Sequence, residues 1–122
     1  MELMMLSYAL DFISFAQNAA HVDINFDEEN LERFDAVLEA VHVLMQKGGL
    51  PENQFYDIVK SATGFLGVFL FKNIGGCWIQ TSIGPVVRIK ETNAFIYNRV
   101  AGRIQNGKED DIISFYNTLK SM

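Results

Sequence analysis

Asp35, Glu39 and His42 recur at i, i+4 and i+7. A helix would place all three on one face. Carboxylates and an imidazole at that spacing are metal-ligand material, and Glu39-Ala-Val-His42 is one half of a paired Glu-x-x-His di-metal motif. The second half is missing. The only other histidine, His21, stands near Asp23 with no Glu-x-x-His around it. The trio therefore reads as the solvated face of an amphipathic helix, and neither a metal nor another cofactor is expected. Nucleophilic catalysis needs a Ser or Cys beside a base. Cys77 is the sole cysteine, and Trp78 follows it in an apolar run far in sequence from both imidazoles. A packed, inert thiol is expected. Glu28, Glu29, Glu109, Asp110 and Asp111 fall at predicted helix starts, where the helix dipole already accounts for acids. Gly64 and Gly67 lie inside a predicted helix and Gly75-Gly76 precedes a strand, the reverse of the strand–loop–helix order of a phosphate loop. No constellation supports an enzyme.

Charge suggests recognition instead. The 122 residues carry a net charge of −5, which argues against binding a nucleic-acid backbone. Nine of the fifteen acids precede residue 47, against one base, Arg33. Asp27, Glu28, Glu32, Asp35 and Glu39 form the candidate surface for a basic protein partner. Arg88 and Lys90 share one face of a predicted strand, and Arg99 and Arg103 one face of a predicted helix. With Trp78 as a stacking residue, they are the alternative candidate: an anion or ligand patch. The plainer reading is that these cations pair with the acidic half.

The elements that position these residues are read from periodicity. Residues 3–19 form a helix apolar enough to need cover on most of its surface. Leu31, Phe34, Leu38, Val41 and Met45 make one helical stripe, ended by Gly48-Gly49. Pro51 opens a third helix with a wide stripe from Phe55 to Leu70. Gly64 and Gly67 each lower its stability by about 1 kcal/mol relative to Ala, so close approach of another backbone is expected there. Cys77–Ile83 and Val86–Lys90 read as two strands broken at Gly84-Pro85. Thr92 or Asn93 then caps a fourth helix with the stripe Ile96, Val100, Ile104, and Glu109–Asp111 start a fifth. The expected fold class is α+β: about five helices packed around a small antiparallel β-hairpin or sheet, in one domain spanning 1–122.

Residues 25–122 resemble a family of small bacterial domains of unknown function. The resemblance lies in Gly64-Phe65-Leu66-Gly67, Asn73-Ile74-Gly75-Gly76-Cys77-Trp78, the helix stop Arg103-Ile104-Gln105-Asn106-Gly107, and Phe115-Tyr116. Leu31 to Leu38 looks like the family's first helix. The resemblance implies a fold and no activity. Relatives often carry Glu after the second glycine of the Gly-x-x-Gly helix, where this chain has Val68, so no catalytic role transfers. The apolar helix of residues 1–20 lies outside the resemblance.

The expected function is a non-catalytic protein-binding module, most concretely an immunity (antitoxin-type) protein blocking a basic toxin domain through the acidic surface. One alternative is a small-molecule-binding or regulatory domain with a pocket between hairpin and helices, using Trp78 and Arg88. Another is a homo-oligomeric structural protein joined through residues 3–16. A lone cysteine and the absence of an apolar run of about 18 residues point to a cytoplasmic protein without a membrane span.

Overall fold

Helix α3, Glu52–Asn73, is the centre of the fold. Every residue from Ser61 to Gly67 is buried, so this stretch has cover on all sides. Its polar members need no outside partner. Ser61 donates to the Ile58 carbonyl and Thr63 to the Val59 carbonyl, within their own helix. The computed structural model describes all 122 residues. Around α3 stand α1 (Glu2–Ala20), α2 (Leu31–Gln46), α4 (Ile96–Asn106) and α5 (Ile112–Lys120). A three-stranded antiparallel sheet, β1 (Cys77–Thr81), β2 (Gly84–Ile89) and β3 (Thr92–Ala94), completes an α+β fold. Short 3-10 turns precede α2 and follow α4. No helix is long and apolar enough to cross a membrane.

Helix α1 packs within this chain through a narrow stripe: Met5, Ala9, Phe12 and Ala16. Phe12 meets Phe34 of α2 and Phe65 of α3, with ring centroids at 5.2 and 5.8 Å. Gly64 explains how α1 comes so close. A Cβ there would stand 2.5 Å from the Met5 carbonyl oxygen and 2.7 Å from Tyr8 Cβ. The glycine is the contact, as the sequence implied. Gly67 serves a different neighbour. A Cβ there would lie 2.1 Å from the Trp78 ring, so α3 is notched for an indole from β1 and not for a backbone.

The sheet departs from expectation at both turns. The first reversal is the two-residue turn Ser82-Ile83, with Thr81 paired to Gly84 and Gln80 to Pro85. Gly84-Pro85 is not a break; it opens β2. Proline is tolerated because β3 pairs only with Val87–Ile89, leaving β2 one neighbour at Pro85. The second reversal is Lys90-Glu91, with Lys90 at φ 55°. Thr92 and Asn93 therefore lie in a third strand and do not cap α4, which starts without a side-chain cap. Cys77 is exposed, not packed. Successive strand side chains point to opposite faces, and Trp78 takes the inward one. At α5 the expected acidic start holds: Asp111 accepts from the Ile113 N–H at 2.9 Å.

Candidate binding cleft

Most of the charged candidates are engaged within the chain. Arg103 projects from α4 into the contact with α2 and is 1% exposed. Its Nε and Nη2 donate to Asp35 at 2.8 and 3.3 Å, and its Nη1 donates to Glu39 at 2.9 Å. A planar guanidinium suits that fork. Burial works against the charge, but the bonds to Asp35 and Glu39 outweigh it and hold the Arg103 pKa above its usual value. The Arg103 bond in turn holds the Glu39 carboxyl below the usual range. Lys72 takes Asp27. Lys120 and the Tyr116 hydroxyl take Glu28, in that order lowering its pKa. Of the five acids marked as a partner surface, Glu32 alone keeps no cation beside it.

The His42 face is spent in the same way. His42 Nδ1 lies 2.7 Å from the Ile104 carbonyl, closing the last turn of α4. Gly107, at φ 71°, leaves room for that ring; a Cβ would stand 2.9 Å from Nε2. The anion patch is also not assembled as drawn. Arg103 is withdrawn into the α2–α4 contact. Arg88 Nε bonds Asn93, Lys90 bonds the Met122 carbonyl, and Arg99 lies 4.9 Å over the Phe115 ring. Trp78 is buried against α3, edge-on to Phe71.

An open cleft does exist where α1, α3, the β1–β2 hairpin and the start of α4 converge. Met4, Met5 and Tyr8 come from α1, and Lys60 and Thr63 from α3. Ile83, Pro85 and Val86 come from the hairpin, and Phe95, Tyr97 and Asn98 from the entry to α4. Its volume is about 340 Å³, within the range of small-molecule sites. The parts follow from local rules. Gly64 brings α1 close, and the tight Ser82-Ile83 turn leaves Ile83 72% exposed at the rim. The proline start of β2 and the uncapped start of α4 form the remaining wall. Lys60 is the only charged lining residue; its nearest acid, Asp57, is 3.9 Å away. Burial, then the neighbouring Tyr56, pushes the Tyr97 phenol above its usual pKa.

Neither Trp78 nor Arg88 lines this cleft. Sequence reasoning missed its residues because they come from separate segments. Ile83, Phe95 and Tyr97 were the available signal: apolar or aromatic residues at the end of a predicted strand and the start of a predicted helix, outside every helical stripe.

Comparison with protein-family models, curated proteins and solved structures finds no significant match to this chain.

Proposed function

We propose that this protein is a non-catalytic binding domain whose cleft between α1, α3, the β1–β2 hairpin and α4 receives a small, largely apolar ligand. The cleft itself supports the reading: about 340 Å³, walled by methionines, aromatics and hairpin aliphatics, with few polar groups. That is the usual make-up of a ligand site. The methionines suit it, being flexible enough to follow a ligand's shape. Thermal denaturation with a panel of alkyl and aryl compounds tests the proposal, because a ligand specific to the folded state raises the melting temperature. Met4→Trp, which fills the cleft from its half-exposed rim, should abolish the rise. A panel that stabilises wild type and M4W alike, or neither, refutes it.

A second reading keeps the protein partner. Leu3, Leu6 and Leu10 are exposed on the outer side of α1, and such a surface favours a docking or self-associating module. The interface would then be apolar. Its membership also changes, since Phe12 is wholly buried within the chain. An immunity-type contact with a basic toxin would draw on Glu32 and on acids already bonded to Lys72, Lys120 and Arg103. Light scattering across concentration separates self-association from a strict monomer.

A further inference from the structure

We infer that the cleft takes an amphiphile bearing a single carboxylate, its chain or ring among Met5, Pro85, Val86 and Phe95 and its anion at Lys60. This rests on the cleft being the binding site, and charge complementarity selects the class. Lys60 is the one charged residue in the lining, and no acid faces the cleft. Its only carboxylate contact, Asp57, sits 3.9 Å away on a side chain 75% exposed, a pairing weak enough for a ligand to displace. The Lys60 side chain is half exposed, so its stem can lie along apolar surface while the ammonium meets the carboxylate at the mouth.

The alternatives fit less well. A phosphate head group carries more charge than one cation balances and favours a guanidinium fork; the lining holds one ammonium and no arginine. A cationic amphiphile would meet like charge. A neutral one would cover the ammonium without giving it a partner. The volume, about 340 Å³, is at the small end for ligand sites, which suits one short chain or one ring system and not a two-chain lipid. The ligand is therefore a free carboxylate and not a membrane surface.

Calorimetric titration of the full chain with decanoate, decan-1-ol and decyltrimethylammonium, each below its micellar concentration, tests this. Decanoate should bind saturably at one site and tighter than the other two, and rising salt should weaken it. Lys60→Gln should weaken decanoate about threefold to fivefold and should not weaken decanol. Lys60→Arg should keep the preference, and Lys60→Glu should reverse it toward the ammonium. Lys60 is exposed, so these variants fold. Decanol binding as tightly as decanoate overturns the inference while the cleft reading stands. Failure of all three compounds to bind overturns both. Tighter binding to phosphatidylglycerol vesicles than to free decanoate overturns the choice of a free carboxylate.

Discussion

Arg103 lies between Asp35 and Glu39, and removing it would leave two acids facing a gap that the guanidinium fills. Arg103→Met keeps most of the volume but strands the carboxylates. It should destabilise the fold by about 2–3 kcal/mol, less than a fully buried pair would lose because both acids reach solvent, read as a lower urea midpoint. Arg103→Lys should recover only part, since one ammonium cannot bond both carboxylates in the fork geometry. A lysine variant as stable as wild type would show the fork to be dispensable. Cys77 makes the second residue-scale prediction. Exposed on the outer face of β1, it should react fully with a water-soluble thiol reagent in the native protein, with no loss of helical circular dichroism. Protection until denaturant is added would place the thiol inside after all.

Between elements, the two glycines of α3 set the distances. Gly64→Ala gains about 1 kcal/mol of helix propensity but drives a methyl group into the α1 backbone, and overpacking of that kind costs about 1–3 kcal/mol. The net should be a lower melting temperature. Met5 and Tyr8 also line the cleft, so ligand binding should weaken too. Gly67→Ala collides with a side chain, not with backbone. Its penalty should therefore shrink in a Trp78→Leu background, a coupling that a double-mutant cycle measures. Equal penalties in both backgrounds would mean that the indole does not limit α3. The same two glycines show how far local reading reaches. Their presence in a helix signalled close approach, but the neighbour's identity, α1 backbone at one and indole at the other, depends on segments distant in sequence.

Across the whole molecule, the acidic half and the basic residues are joined by ion pairs, and stability should follow their titration. Glu39, Glu28 and Asp111 hold folded pKa values below the usual range through Arg103, Lys120 and Ser114 respectively. Their stabilisation is full above the unfolded carboxylate pKa of about 4 and is lost as pH falls through the lowered values. Tyr116 runs the other way. Burial, then its bond to Glu28, raises the phenol pKa. That contribution is full below the unfolded value of about 10 and fades as pH rises toward the raised one. Urea midpoints should thus hold steady through neutrality and drop in acid, and Glu39→Gln should flatten part of the acid limb. An unchanged limb in that variant would remove the Arg103 pair from the account. Local sequence pattern determined the five helices, the inward stripes at Phe55–Leu70 and Ile96–Ile104, and the α+β class, because those signals lie within each segment of the chain. The third strand escaped it, since Thr92-Asn93 suits a helix cap as well as a strand and only pairing with Val87–Ile89 decides. Tertiary structure alone decided that Asp35 and Glu39 face Arg103 and that Cys77 turns outward. It alone brought Met4, Lys60, Ile83 and Tyr97 to one cleft. Each depends on which distant surface a side chain meets, and spacing along the chain carries no record of that.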